Sequence, residues 1–183
     1  MAGETASTRP LAGERHRRRG AIQGRVPIGS GRLTIELVPE TCWVSDIREV
    51  IPPSAWEHLR RRVDADARHR CEVCGQRGGE HDTECHEVWE YDEAQHTQRL
   101  KRMVALCHRC HQVMHIDRAG EAGAAHAALE HFAVVNGCGV GDAQRHRALA
   151  LRRWRERSRH GWSLDLQALR SYGLDPDLLM HSR

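Results

Sequence analysis

Two Cys-x-x-Cys pairs constrain the fold of this chain more than any other feature of its sequence. The pairs are Cys71/Cys74 and Cys107/Cys110, and 32 residues lie between Cys74 and Cys107. A tetrahedral Zn²⁺ accepts four thiolates, and tight turns supply them two at a time. The four cysteines therefore predict one structural zinc site. Because metal binding contributes directly to folding free energy, this site compensates for a core with few aromatic residues (4% of the chain).

The remaining cysteines and the N-terminal sequence bear on the cellular compartment. Cys42, Cys85 and Cys138 are expected to be free thiols that pack as small apolar residues. The N-terminus lacks the apolar core of a signal peptide, and no apolar stretch reaches the length of a membrane span. We therefore expect a cytoplasmic protein without a membrane partner, in which a reducing environment keeps the cysteines available as metal ligands.

The pattern along the 183 residues predicts four segments. Residues 1–30 are rich in Gly and Arg and have no hydrophobic period, which predicts a disordered basic arm. Residues 31–118 form the predicted metal-binding domain, residues 119–170 a helical extension packed on it, and residues 171–183 a tail. A short strand at 33–37 is expected to pair with a second one at 162–166.

Within the metal-binding domain, the sequence predicts an α+β arrangement. Alternating strands are followed by a helix, with cysteines at both ends, so the segment forms a ββα unit stapled by zinc. Ser54 and Glu57 form a capping-box pattern that predicts a helix of about sixteen residues. Asp142 is the expected N-cap of the last long helix. The other predicted elements are strands at 85–91 and 100–106 and helices at 108–118, 121–135 and 142–160.

Three histidines are candidates for a second site. His111 and His115 are four residues apart on a predicted helix, so both imidazoles project from one face and can bind one metal ion. The alternative is an ordinary polar helix face in a chain with 14 histidines. His86 is on the preceding strand, where alternation directs His86 and Val88 to one face and Glu87 to the other.

The stretch from Cys71 to His115 resembles the zinc-ribbon branch of the HNH endonucleases, which have a ββα-metal (treble-clef) fold. The motif is Cys-x-x-Cys, then Cys-His-Glu-Val-Trp-Glu-Tyr-Asp at 85–92, then Leu-Cys-x-x-Cys-His-x-x-x-His at 106–115. The resemblance extends over about residues 32–170. It implies hydrolysis of DNA phosphodiester bonds, with His86 as general base and His111 and His115 as ligands of a divalent cation (Mg²⁺, Mn²⁺, Ni²⁺ or Zn²⁺).

Two positions depart from the family pattern. Cys85 stands where many members have an aspartate ligand, and Arg102 stands near the usual position of an asparagine. Glu87 or Asp92 can replace these oxygen ligands, and Glu87 is therefore included among the candidate catalytic residues. An inactive treble-clef zinc protein that binds nucleic acid or a protein partner remains the alternative.

Charge is unevenly distributed in a chain of formal net charge +3. Residues 72–93 contain eight acidic side chains and one arginine, whereas residues 142–160 contain seven arginines and two acidic side chains. The arginine-rich helix is either a DNA-binding surface or an ordinary solvated face. We expect DNA as the partner and no organic cofactor, and the sequence leaves the oligomeric state open. The candidate DNA contacts are Arg145, Arg152, Arg153, Arg155 and Arg159.

Overall fold

The computed structural model describes residues 33–42, 44, 46–77, 83–117 and 123–180. Residues 179 and 180 are described for their backbone only. Its α+β class agrees with the sequence prediction. The predicted basic arm at 1–30 and the end of the predicted tail lie outside these residues. The strands are β1 (Glu84–Asp92), β2 (Thr97–Leu106) and β3 (Ser163–Asp165). The α-helices are α1 (Pro53–Asp66), α2 (His108–Met114), α3 (Ala125–Asn136), α4 (Val140–Arg157) and α5 (Pro176–Met180), with 3₁₀ helices at Ile47–Glu49 and Gln167–Tyr172.

The three strands form one sheet in the order β1-β2-β3. β1 and β2 form an antiparallel hairpin, and β3 adds to β2 in parallel. The register pairs His86 with Val104 and shifts between Val88 and Trp89. This bulge changes the twist of β1 between its first half, which carries His86, and its second half.

Both faces of the hairpin are buried, each against its own set of helices. Val88 and Val104 belong to a core that includes residues of α2, α3 and α4. Trp89 and Met103 belong to a second core, to which α1 contributes Leu59. The alternation of side chains along a strand explains why neighbouring residues of β1 enter different cores. The hairpin is therefore the middle layer of the fold, and its α2-facing side carries His86.

The starts of two helices differ from the sequence prediction. Helix α1 begins at Pro53, and Glu57 pairs with Arg60 and Arg61 at 2.5 Å each, so the predicted capping box does not cap the helix. Helix α4 begins after Gly139, whose N–H donates to Asp142 Oδ2 at 3.1 Å. Asp142 is therefore the third residue of the helix rather than its N-cap. A carboxylate at that position reaches back to the N-cap amide, which explains the error of three residues.

The predicted pairing of residues 33–37 with residues 162–166 is wrong. Residues 33–38 are extended but join no strand, and β3 pairs with β2 instead. Side chains of α3 and α4 bind the extended backbone and take the place of a partner strand. The Leu33 N–H donates to Asn136 Oδ1 (3.0 Å) and the Asn136 amide donates to the Leu33 carbonyl (2.9 Å). The Ile35 N–H donates to His146 Nε2 (3.1 Å).

The C-terminal segment also differs from the predicted tail. Residues 167–172 form a 3₁₀ helix that contacts β2, and the Tyr172 hydroxyl accepts from the Met103 N–H at 2.9 Å. Leu169 is fully buried in the second core. This segment therefore closes the α1 side of the sheet, and the short helix α5 follows it.

Candidate functional site

The four cysteines of the two Cys-x-x-Cys pairs meet in space. Their sulfur atoms all lie within 4.8 Å of one another, and the Cys74 and Cys107 sulfurs are 3.6 Å apart. A disulfide would bring two sulfurs to about 2.05 Å. Four thiolates at about 2.3 Å from one tetrahedral zinc are about 3.8 Å apart. The cluster of Cys71, Cys74, Cys107 and Cys110 therefore fits a structural metal ion such as zinc.

Two backbone turns present these sulfurs. In the first turn, the Cys74 N–H donates to Cys71 Sγ at 3.5 Å, and the Gly75 N–H donates to the Cys71 carbonyl at 2.9 Å. Gly75 has φ of +78°, a conformation that favours glycine. In the second turn, Cys107 is the N-cap of α2, which places Cys110 in the first helical turn. Each pair is thus held by a backbone turn that the motif spacing allows.

His131 of α3 contacts the cysteine cluster, and sequence reasoning did not identify it. Its Nε2 lies 3.2 Å from Cys110 Sγ. Hydrogen bonds from the thiols of Cys107 and Cys110 hold the pKa of the Cys71 thiol far below its usual range. Hydrogen bonds to ligand atoms orient them and adjust metal affinity. No spacing rule links His131 to Cys110, because they are 21 residues apart on different helices.

The three candidate histidines form a second cluster. One ring nitrogen from each of His86, His111 and His115 lies within 4.8 Å of the other two. The ring centroids are 5.2 Å apart for His86 and His111, 4.8 Å for His86 and His115, and 4.5 Å for His111 and His115. β1 supplies His86, α2 supplies His111, and His115 is the C-cap residue directly after α2. The structure thus brings together residues that the sequence placed on a strand and on a helix.

A carboxylate that sequence reasoning missed orients this cluster. Glu84 Oε2 lies 2.5 Å from His111 Nδ1, and Glu84 Oε1 lies 2.7 Å from His108 Nδ1. The hydrogen bond with His111 is the main reason why the pKa of Glu84 is lowered to about 2. A carboxylate at Nδ1 leaves Nε2 of His111 available as a ligand. Glu84 is two residues before His86, so strand alternation is the sequence signal that could have identified it.

His86 is the most buried member of the cluster, with 8% of its surface exposed. Its Nδ1 has no hydrogen-bond partner among the described residues. Burial, and then the neighbouring His115 and His111, lower the pKa of His86 well below its usual value. The ring is therefore neutral at neutral pH. A buried polar atom without a partner is costly, and a bound metal ion or water would satisfy it.

The candidate oxygen ligands do not face the three histidines. Glu87 is on the opposite face of β1, where its Oε1 accepts from the Ile47 N–H at 2.8 Å. Its Oε2 lies 4.0 Å from His86 Nδ1, beyond hydrogen-bond distance. Burial raises the pKa of Glu87 to about 7. Asp92 Oδ1 accepts the Ala94 and Gln95 N–H groups in the hairpin turn, at 3.0 Å each.

The two positions that depart from the HNH pattern have structural contacts. Cys85 is on the Glu87 face and packs against the second core, and burial raises the pKa of its thiol. Arg102 Nη1 lies 3.0 Å from Glu72 Oε2, which links β2 to the first cysteine turn. Both residues therefore serve the fold around the metal site.

The candidate DNA-binding arginines are on α4 or directly after it. Arg145 pairs with Asp142, and Arg152 Nε lies 3.9 Å from Glu156. Arg153, Arg155 and Arg159 are exposed. Surface pairs of this kind contribute little to stability, so the arginines remain available to an anionic partner.

No helix in the described ranges combines the length and apolar character needed to cross a membrane. Comparison of the chain with protein-family models, with curated proteins and with solved structures finds no match. The resemblance to HNH endonucleases therefore rests on the sequence motif.

Proposed function

We propose that this protein is a metal-dependent endonuclease of the HNH type, which hydrolyses DNA phosphodiester bonds on a treble-clef ββα unit held by a structural zinc. The observation that carries the proposal is the cluster of His86, His111 and His115, with nitrogens within 4.8 Å of one another. Its buried member has an unsatisfied Nδ1 among the described residues. Buried polar atoms are usually paired, and a bound cation or water would satisfy this one.

Each residue has a role that its contacts support. His111 and His115 hold a divalent cation, and Glu84 fixes the ring of His111. The cation supplies positive charge next to the scissile phosphate. Neutral His86 takes the proton from the attacking water. Nitrogen ligands favour Mn²⁺, Ni²⁺ or Zn²⁺, because Mg²⁺ prefers oxygen.

Carboxylates of the acidic stretch at 72–93 pair with side chains outside it, and this pairing reduces the repulsion between the stretch and DNA. Several of its carboxylates are engaged inside the protein, and Glu87 is buried. The exposed arginines of α4 then supply the phosphate contacts, which depend on salt concentration. The engaged pairs are Glu72 with Arg102, Glu84 with His111, Glu90 with Arg99 and Glu93 with Arg157.

A plasmid-nicking assay with Mg²⁺, Mn²⁺, Ni²⁺ and Zn²⁺ in parallel tests the proposal. We expect metal-dependent nicking that His86→Ala slows by about 10²–10⁴-fold, the usual contribution of a general base. His126→Ala is the control, since that exposed histidine of α3 pairs with Glu130 outside the cluster. A folded, zinc-loaded protein that cuts with none of the metals would contradict the proposal.

The same variant separates two roles for His86. If His86 is the base, His86→Ala loses cleavage but keeps the second metal ion, measured by titration against a chromophoric chelator. If His86 is a third ligand, the variant loses both. The alternative function, binding of nucleic acid without cleavage, is favoured by Cys85 and Arg102 in the altered positions. It predicts salt-dependent DNA binding and no nicking.

A further inference from the structure

A cavity of about 370 Å³ lies between the extended segment at 35–37, the second half of β1 and helix α4. This volume is within the usual range of small-molecule sites, about 300–1,000 Å³. The side chains used in the argument are Glu36, Trp89, Tyr91, Leu149, Arg153 and Trp154.

The walls of the cavity are aromatic and are held in place. Trp89 is buried, and the Trp154 indole N–H donates to the Val38 carbonyl at 3.1 Å. The Arg157 guanidinium lies 4.1 Å from the centroid of the Tyr91 ring, and it pairs with Glu93 at 2.7 Å. Fixed aromatic rings offer stacking surfaces that lose little entropy on binding.

Three charged side chains line the cavity, and one of them, Arg157, is already paired with Glu93. Arg153 is exposed and forms no ion pair with a described residue, whereas Glu36 is exposed on the facing segment. Leu149 is an apolar side chain left 46% exposed at the same opening. An occupant that matches these groups needs an apolar planar part, an anion near Arg153 and hydrogen-bond donors near Glu36.

We propose that this cavity binds an unstacked nucleobase, with the base against Trp154 and its phosphate on Arg153. Glu36 accepts hydrogen bonds from an exocyclic amine, which favours adenine, guanine and cytosine over thymine. Base stacking on aromatic side chains and cation contacts to phosphate are the usual means of binding single-stranded nucleic acid. An aromatic peptide side chain also fits the walls, but it carries no anionic group of its own that could contact Arg153.

The position of the cavity relates it to the proposed nuclease site, and in this respect the inference rests on the proposed function. Trp89 follows His86 by three residues on β1, a distance of about 10 Å along a strand. Trp89 and His86 are on opposite faces of β1, so the cavity is a nucleic-acid contact separate from the histidine cluster. A base bound there would favour single-stranded or distorted substrates.

Tryptophan fluorescence during titration with the 5′-monophosphates of adenosine, guanosine, cytidine and thymidine tests the inference. We expect saturable quenching with a dissociation constant of about 1 mM or lower. Arg153→Ala should weaken binding about tenfold, the effect expected for one lost charge-assisted contact. Glu36→Gln should weaken the three amine-bearing nucleotides and leave thymidine monophosphate unchanged.

Two controls make the outcome decisive. Arg61→Ala removes an exposed arginine of α1 that neither lines the cavity nor belongs to the candidate DNA contacts, and we expect unchanged binding. Ribose 5-phosphate carries the phosphate without a base and should not compete. Equal effects of Arg153→Ala and Arg61→Ala, or competition by ribose 5-phosphate, would show charge attraction alone and overturn the inference.

The titration needs no cleavage, so the two proposals fail separately. Nicking without saturable nucleotide binding would refute the cavity as a base site and leave the nuclease intact. Saturable binding that depends on Arg153, in a protein that does not nick DNA, would support the cavity and refute the nuclease. Displacement by an aromatic dipeptide but not by nucleotides would assign the cavity to a protein partner and overturn the inference.

Discussion

Glu84 shows how one carboxylate can determine which ring nitrogen of a histidine is available. Its hydrogen bond to His111 Nδ1 leaves Nε2 of that ring available as a ligand. Glu84→Gln removes the negative charge and should lower the affinity of the second metal site by about 10–100-fold. Competition with a chromophoric chelator measures this loss. Glu156→Gln, an exposed change on α4, should have no effect, and an unchanged affinity in Glu84→Gln would refute the orienting role.

Glu87 is a buried carboxyl whose ionisation opposes folding. Burial raises its pKa to about 7 from an unfolded value of about 4.3. Its contribution to stability is therefore complete below about pH 4.3 and is lost as the pH rises through 7. Relative to Glu87→Gln, which keeps an acceptor for the Ile47 N–H, the wild type should lose up to about 3 kcal/mol between pH 5 and pH 8.

Urea denaturation of both proteins at four pH values measures this difference. Glu90→Gln on the same strand is the control, because that carboxylate is half exposed. Its effect should stay within about 0.5 kcal/mol across the range. A difference between wild type and Glu87→Gln that does not change with pH would contradict the assignment.

At the scale of elements, the extended segment at 33–38 depends on side chains of distant helices. Asn136 at the end of α3 binds both the N–H and the carbonyl of Leu33, whose side chain is fully buried. Asn136→Ala leaves two backbone groups without partners and should lower the free energy of unfolding by about 2–3 kcal/mol. Thermal or urea unfolding tests this, with the exposed Gln144→Ala of α4 expected to change it by less than about 0.5 kcal/mol.

The elements differ in how far the sequence predicted them. The ends of β1 and β2 were predicted to within three residues, because apolar and polar side chains alternate along both strands. The end of α3 was also found, because Gly137 has φ of +65° and ends the helix. The prediction of the strand that pairs with β3 was wrong, because alternation shows that a strand exists but not which sheet edge it joins.

At the scale of the whole molecule, the cysteine cluster connects the turn after α1 to the start of α2. Its sulfurs lie next to the core that contains residues of α2, α3 and α4. Cys71→Ser, or removal of zinc by a strong chelator, should therefore abolish cooperative unfolding, because metal binding is part of the folding free energy. Circular dichroism and zinc content per chain measure both effects.

The chain offers a matched control for this experiment. Cys42 is a half-buried free cysteine that lies outside the cluster. Cys42→Ser should keep one zinc per chain and a melting temperature within a few degrees of wild type. If Cys71→Ser also keeps its zinc and its cooperative transition, the four-cysteine site is not structural.

The sequence alone determined the parts of this protein that follow from short, regular spacing. Two residues between paired cysteines fit one metal, a spacing of four residues puts His111 and His115 on one side of α2, and alternation puts His86 on the face of β1 toward them. Tertiary structure alone decided the contacts between distant segments. Glu84 with His108 and His111, His131 with Cys110, and the cavity between β1 and α4 depend on how the helices pack. Packing is a property of three-dimensional shape that no local period encodes.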